Sequence, residues 1–339
     1  MEKHIKNIEI YNFKGLKELK INDMKPINIF IGDNNSGKTT ILEAISIFEN
    51  PFDYMSHLKF LDRKHGLSNI KYDNIKQVFY NSDYDNEICI NLTIDQNSNN
   101  IDNTCLKINA KEEEVYFEDC NEDVTTLTYI FNGEEKEFSI QNNPQKEIRV
   151  RKEKFKYLNL GFVSPIDTYM EKSTLSAIDT VIKKGKKQTL IELLKIFDSN
   201  ITDLNYISNK ELYITTSNRG TLSISSFGDG LKKAIVLIAK AIDAKDGIVL
   251  IDELETSIHK DILGKIFKEL LINAEKYNTQ VISTTHSLEA IRELLINLEQ
   301  KLDLLALYRL EEFEGKIYAT RFSGKKAYKL IIKEGGDLR

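Results

Sequence analysis

Gly32-Asp33-Asn34-Asn35-Ser36-Gly37-Lys38-Thr39 reads G-x-x-x-x-G-K-T, and residue types at that spacing suit one chemistry, the holding of phosphate. Consecutive backbone N–H groups in a loop free to take unusual dihedrals form an anion cradle. A helix beginning near Gly37 adds its positive N-terminal end. Lys38 supplies a point charge for the outer phosphates, and the Thr39 hydroxyl suits Mg²⁺. The pattern points to nucleotide binding.

Three further clusters carry polar chemistry at the ends of apolar runs. "GIVLIDE", residues 247–253, ends in two adjacent carboxylates. Downstream of a phosphate loop this is the Walker B arrangement, in which Asp252 binds the Mg²⁺ shell and Glu253 polarises the attacking water. "QVISTTHS", residues 280–287, carries His286, a residue able to hydrogen-bond a γ-phosphate or the attacking water. "SSFGDGLKKA" places Ser226, Gly228 and Gly230 before a strong helix, an anion site for the same reason as the first loop.

These side chains need particular elements to position them. "INIFI" before the loop is apolar enough for a buried strand, and Ile41, Leu42, Ile45 and Phe48 share one helical face before Pro51 stops the run. The helix after Gly230 has Leu231, Ala234, Ile235, Ile238 and Ile242 on its apolar face, with Lys232, Lys233, Lys240 and Lys245 expected to face away. A further helix, "HKDILGKIFKELLINAEKYN", turns Ile262, Ile266, Phe267, Leu270 and Ala274 inward and separates the Asp-Glu strand from the His286 strand. Helices and strands alternating in this way build a parallel core. His286 then falls at a strand's carboxyl end beside the phosphate loop, where open α/β sheets bind ligands.

Around that core, residues 4–13 and 17–31 read as strands feeding the loop. Residues 51–159 change character: a polar stretch, then short alternating strands such as "EICINLTID" and "TLTYIFNGEEKEFSI", separated by Asn, Asp and Gly turns. The expected organisation is an α/β head over residues 1–50 and 160–339, with a β-rich insertion containing some helix over 51–159. Residues 170–198 read as helical, "ELYITTSNRGTLSI" as a hairpin turning at 218–220, and the last stretch as a hairpin and a short helix.

The bulk properties narrow the class. The chain has 339 residues, 41% of them hydrophobic, and a net charge of −5, so a nucleic-acid site would have to be a local patch. No apolar run is long enough to span a membrane, and "MEKHIKNIEI" lacks a signal-peptide core. Cys89, Cys105 and Cys120 have no metal-ligand spacing and read as reduced thiols of a cytoplasmic protein.

Taken in order, the phosphate loop, the Ser/Gly signature, Asp252-Glu253 and His286 resemble the ABC-type ATPase heads of the SMC, RecF and OLD (overcoming lysogenization defect) proteins. "IYNFKGL", "INIFIGDNNSGKTT", "SFGDGLKKA", "VLIDELETSIH" and "STTHSLEAI" look most like the OLD-like AAA ATPases of prokaryotic defence systems. The resemblance implies a P-loop NTPase head of ABC type with a mixed and parallel sheet. It implies ATP and Mg²⁺ as ligands, with Thr39 and Asp252 at the metal. Gly32, Asn34, Asn35, Ser36, Gly37, Lys38, Thr39 and Thr40 would hold the nucleotide, and Glu253, His286 and Lys38 would serve hydrolysis. Such heads pair head to tail, so Ser226, Gly228 and Gly230 would meet the γ-phosphate held by a partner copy, in a homodimer or a higher homo-oligomer. Gln77 and Gln188 are weak candidates for the glutamine expected between loop and signature, and His259 has no assignable role.

The departures shape the expected output. Full-length OLD proteins carry a TOPRIM nuclease, for which the stretch after His286 is too short, and no coiled-coil arm is present. ATP state is therefore expected to control a separate effector, a nuclease or toxin. The competing reading is a RecF-like ATPase acting on DNA in recombination or repair, served by the basic clusters "KEIRVRKEKFK", "IKKGKKQ" and "GKKAYK". A nucleotide-gated scaffold with slow turnover is a third. A GTPase is disfavoured because "NKEL" at 209–212 has Leu212 where the base-reading Asp belongs. A hexameric motor fits the Ser/Gly signature and His286 poorly.

Overall fold

A computed structural model describes residues 4–54, 57, 72–96, 100–117, 120–141, 155–165, 171–207, 211–256, 263–264, 268, 272 and 275–338. The strands, in chain order, are β1 (His4–Phe13), β2 (Leu16–Ile21), β3 (Ile27–Ile31), β4 (Ile88–Gln96), β5 (Asn100–Phe117), β6 (Cys120–Phe131), β7 (Glu134–Gln141), β8 (Leu160–Val163), β9 (Ile201–Ile207), β10 (Glu211–Thr216), β11 (Gly220–Ser223), β12 (Ile248–Ile251), β13 (Gln280–Thr284), β14 (Leu305–Phe313) and β15 (Lys316–Ser323). The longer helices are α1 (Lys38–Ser46), α2 (Glu171–Lys183), α3 (Lys187–Leu194), α4 (Asp229–Asp243) and α5 (Leu288–Asn297).

The central sheet runs β15-β14-β3-β13-β12-β8. Its β14, β3, β13, β12 and β8 are mutually parallel, and β15 returns antiparallel to β14. Every residue of β3, β12 and β13 is buried, as strands covered on both faces require. Register then fixes the site. Ile251 pairs Ser283 and Thr284 pairs Phe30, so the residues following β3, β12 and β13 leave the sheet at one edge.

The second sheet, β2-β1-β4-β5-β6-β7, is antiparallel throughout. It does not stop at the boundary expected at residue 51, because β1 and β2 hydrogen-bond into it. Ile8 pairs Leu92 and Ile10 pairs Ile90. Those isoleucines are wholly buried with Leu16, Leu19 and Ile21, and a buried β1 cannot leave its outer row of N–H and C=O groups unpaired. β4 alternates buried and half-buried residues along its length, the pattern of a sheet with one covered face.

A small sheet, β11-β10-β9, packs with α2, α3 and α4 around Ile178, Leu190, Leu204, Ile214, Ile235 and Ile238. The β10–β11 hairpin closes at Thr216↔Gly220, with Gly220 at φ 73°, a conformation that suits glycine. The terminal stretch forms the β14–β15 hairpin and a short helix, Gly324–Tyr328. The inward residues expected between 255 and 278, and most of "SHLKFLDRKHGLSNIKYDN" and "KEIRVRKEKFK", lie outside the described residues. Among the described residues, no helix is long and apolar enough to cross a membrane.

Candidate nucleotide site

A cleft of about 740 Å³ opens at the carboxyl edge of the central sheet. Asn34, Asn35, Gly37, Lys38, Thr39, Thr40, Asp252, Glu253 and His286 all line it, so three distant stretches of sequence converge there. It is also lined by Gly15 of the β1–β2 turn, which lies in "IYNFKGL", and by residues that no motif contains: Glu312, Gly315 and Ile317 of the β14–β15 hairpin.

The loop's glycines are structural requirements. Gly37 sits at φ 85°, and a Cβ there would lie 2.9 Å from Leu16 Cδ2. Gly32 has φ 143°, and its Cβ would meet the Leu310 carbonyl oxygen at 2.6 Å. The loop thus packs against the β1–β2 turn and β14 with no room for larger residues. Ser36 is buried within it. Lys38 Nζ donates to the Gly32 and Asp33 carbonyls at 2.8 and 2.6 Å and to Ser36 Oγ at 3.3 Å. Burial holds the Lys38 ammonium below its usual range, opposed by Asp252 and other nearby carboxylates, as partial desolvation of a cation demands.

Opposite the loop, Asp252 is 3% exposed. Its Oδ1 accepts from Thr39 Oγ1 at 3.0 Å and from Thr284 Oγ1 at 2.7 Å. A hydroxyl and a carboxylate at this separation form a hard-oxygen pair of the kind Mg²⁺ takes from a protein, with phosphate and water completing the shell. The residues present therefore fit a nucleotide–Mg²⁺ complex. Thr284 Oγ1 also accepts from the Glu253 N–H at 2.8 Å, so one hydroxyl braces both acids.

Glu253 has a left-handed backbone, φ 46°, uncommon for a residue with a Cβ. Its Oε2 accepts from Thr256 Oγ1 at 3.0 Å. His286, with a side chain 53% exposed, is held by Glu255: the carboxylate Oε1 accepts the His286 backbone N–H at 2.9 Å and stands 2.9 Å from the ring Nδ1. A carboxylate behind an imidazole fixes its orientation and tautomer.

Ser226, Gly228 and Gly230 do not join this cleft. They lie at the N-terminal end of α4, with Ser226 and Gly228 exposed and Gly230 half-buried. Gln77 and Gln188 are exposed and do not line the cleft. His259 lies outside the described residues.

One expectation is overturned. Lys233 does not face away from the core: it is 0% exposed, and its Nζ donates to the carbonyls of Glu253 and Thr256 at 2.8 and 2.6 Å. The reason is that α4 is buried almost all round, with Ala234 to Ala239 inaccessible or nearly so. An unbroken apolar run of that kind marks a helix covered on every side, and a lysine one turn before Leu237 must point inward. Glu255 and Thr284 were also absent from the motif reading, although "DELE" and "STTHS" contain them.

In the two basic clusters that lie among the described residues, "IKKGKKQ" and "GKKAYK", most lysines pair with carboxylates. Lys183 pairs Asp179, Lys184 pairs Asp243, Lys187 pairs Asp203, Lys325 pairs Asp303 and Lys329 pairs Glu334.

The fold and the cleft together define a P-loop ATPase head of ABC type. The chain belongs to the family described as "AAA domain, putative AbiEii toxin, Type IV TA system", whose model matches residues 27–292. It is 24% identical over 337 residues to an ATP/GTP phosphatase of Helicobacter pylori, covering 86% of this chain and 87% of that one. It is also 24% identical over 319 residues to Septu protein PtuA of Bacillus thuringiensis, covering 86% and 74% of the two chains. Among solved structures, it resembles a Smc head domain with an extended coiled coil bound to the C-terminal domain of ScpA, from Pyrococcus furiosus. That match has TM-score 0.57 and 13% identity over 98% of this chain and all of the other.

Proposed function

We propose that this chain hydrolyses ATP with Mg²⁺ in a head-to-tail assembly of at least two copies, and that its ATP state controls a separate effector protein. The observation that carries the reading is a division of labour within one chain. Lys38, Thr39, Asp252, Glu253 and His286 share one cleft, while Ser226 and Gly228 stand exposed at the N-terminal end of α4, outside it. Exposed anion-binding groups away from their own chain's cleft suit the nucleotide of a second copy.

In the proposed reaction Lys38 exchanges its loop carbonyls for the outer phosphate oxygens. Thr39 and Asp252 would hold Mg²⁺, which would supply neutralising charge to the phosphates. Glu253 orients the attacking water and takes its proton. His286, oriented by Glu255, hydrogen-bonds the γ-phosphate, and Ser226, Gly228 and Gly230 of the partner copy close the site. The toxin–antitoxin description of the family and the resemblance to OLD-like heads support a nuclease or toxin as effector, in phage defence. The Smc head bound to a ScpA domain offers a precedent in the same fold for a head that engages another protein.

The test is the solution mass of Glu253→Gln with and without ATP–Mg²⁺. An ATP-dependent dimer, abolished by adding Ser226→Arg, is the expected result. A monomer under every condition would remove the sandwich. A nucleotide-independent oligomer would place ATP inside a preformed assembly.

A further inference from the structure

Lys233 is a fully buried cation that meets two backbone carbonyls, those of Glu253 and Thr256. Burying an ammonium is costly, and an apolar side chain would fill the same space more cheaply. Burial indeed pushes its pKa down to about 8, even with Glu255, Glu253 and Asp252 nearby to raise it. The amine must therefore hold something that an apolar side chain could not.

What it holds is the bend after β12. Glu253 sits at φ 46°, a sparsely populated conformation that persists only where the surroundings fix it. Both of its peptide groups are fixed. The N–H donates to Thr284 Oγ1 at 2.8 Å, and the C=O accepts from Lys233 Nζ at 2.8 Å and from the Thr256 N–H at 3.0 Å. One clamp comes from β13. The other comes from α4, just over one turn beyond its N-cap Gly228.

The geometry points to Lys233 as a positioning residue that couples the two nucleotide sites of the assembly. This rests on the head-to-tail reading above. In that arrangement the N-terminal end of α4 closes over the partner's nucleotide, while Glu253 acts on the chain's own. Lys233 joins the two within one rigid helix. When Ser226 and Gly228 engage at one site, α4 settles, and the amine sets the Glu253 backbone for attack at the other. Without the amine, each glutamate works unaware of the state of the opposite site.

ATP hydrolysis against ATP concentration would be measured for the full chain, Lys233→Met and Lys233→Arg. Solution masses of Glu253→Gln and Glu253→Gln/Lys233→Met with ATP–Mg²⁺ would accompany them. Lys233→Met is expected to lose about tenfold to a hundredfold in kcat with KM unchanged. Its Hill coefficient should fall from about 2 to about 1, while both Glu253→Gln proteins still dimerise. Lys233→Arg, which keeps a cation and donors, should recover most of the rate and the cooperativity.

A Lys233→Met protein with unaltered kcat and Hill coefficient overturns the inference. So does an effect confined to KM, or a wild-type Hill coefficient of about 1. If Lys233→Met loses its thermal transition, Lys233→Gln takes its place under the same criteria. Loss of folding in both assigns the amine to stability alone and also overturns the inference. A Glu253→Gln protein that stays monomeric with ATP overturns the sandwich reading instead, so the two failures are told apart by mass.

Discussion

Gln280 binds both backbone groups of Ile5, 275 residues earlier in the chain. Its Oε1 accepts the Ile5 N–H at 2.8 Å and its Nε2 donates to the Ile5 C=O at 2.8 Å. The same Nε2 reaches the Lys25 carbonyl at 3.0 Å. Gln280 opens β13 of the central sheet, Ile5 lies in β1 of the antiparallel sheet, and Lys25 precedes β3. One buried amide therefore stitches the two sheets together next to the strand that delivers the phosphate loop.

Replacing Gln280 by Leu keeps roughly the same volume and strands both buried backbone groups of Ile5 together with the partly buried Lys25 carbonyl. Each buried polar group left unsatisfied costs about 1–3 kcal/mol, and partial relaxation should leave a net loss of about 3 kcal/mol. The urea midpoint is expected to fall accordingly. A midpoint at the wild-type value would mean that the backbone groups find other partners and that the stitch is not needed.

Lys14 and Glu43 form a second tie, at 2.7 Å, with Glu43 1% and Lys14 17% exposed at the side chain. Lys14 lies in the β1–β2 turn and Glu43 on α1, so the pair braces the helix that presents Lys38 and Thr39. Breaking a buried pair by removing one partner costs about 3–5 kcal/mol, whereas replacing both with apolar groups is often close to neutral. Lys14→Met is therefore expected to be clearly less stable than the Lys14→Met/Glu43→Leu double variant. Thermal melts of both single variants and the double would decide it. A double variant at least as unstable as the sum of the singles would argue against an isolated pair.

His57 gives the β-rich sheet a pH dependence. The ring is buried between Tyr129 Oη at 3.3 Å and the Asn50 carbonyl at 3.1 Å. Desolvation by burial pushes its pKa down from 6.5 to about 4. The unfolded chain therefore binds the extra proton between those two values while the folded chain does not. Stability rises with pH across that window and is lost as pH falls from 6.5 toward 4. The slope from this one group is at most about 1.4 kcal/mol per pH unit. Urea midpoints at pH 7 and pH 5 should differ more for the wild type than for His57→Phe, whatever the absolute stability of the variant. Equal differences would show that other groups carry the acid sensitivity.

How much of this was legible in the sequence depends on whether the information is local. The phosphate loop, the Asp252-Glu253 strand end and the His286 strand end are each set by a few neighbouring residues, and parallel register does the rest. The left-handed φ at Gly37 is written in the glycine itself. By contrast, Lys233 was expected in solvent, because a lysine on an amphipathic helix normally is. Its burial follows from β8, β12 and the helices α2 and α3 closing round α4, a tertiary fact. The same holds for β1 and β2. Their alternation announces strands, but nothing in 1–50 says that β1 takes β4 as its second hydrogen-bonding partner, across a long connection. The Glu312, Gly315 and Ile317 part of the cleft was likewise invisible, since it depends on the β14–β15 hairpin folding over the phosphate loop.

Thr284 is the sharpest test of the braced pair of acids. Its hydroxyl donates to Asp252 Oδ1 at 2.7 Å and accepts the Glu253 N–H at 2.8 Å. The proposed metal ligand and the proposed base are thus located by a single oxygen atom. Thr284→Val preserves shape and β-branching in a wholly buried strand and removes only that oxygen. Asp252 loses one of two donors seen at its Oδ1, and the Glu253 peptide loses the bond that fixes its left-handed backbone from the β13 side. Small displacements of positioned groups cost up to about a hundredfold in rate, so kcat is expected to fall by about tenfold to a hundredfold. Thr284→Ser, which returns the hydroxyl without the methyl, should recover most of that loss. Because the phosphate loop is untouched, affinity for ATP in the absence of Mg²⁺ should stay near the wild-type value. Titration with a fluorescent ATP analogue beside steady-state hydrolysis separates these effects. A Thr284→Val protein that hydrolyses ATP at the wild-type rate would mean that Asp252 and Glu253 reach their working positions without the hydroxyl, and the shared-oxygen account would be wrong.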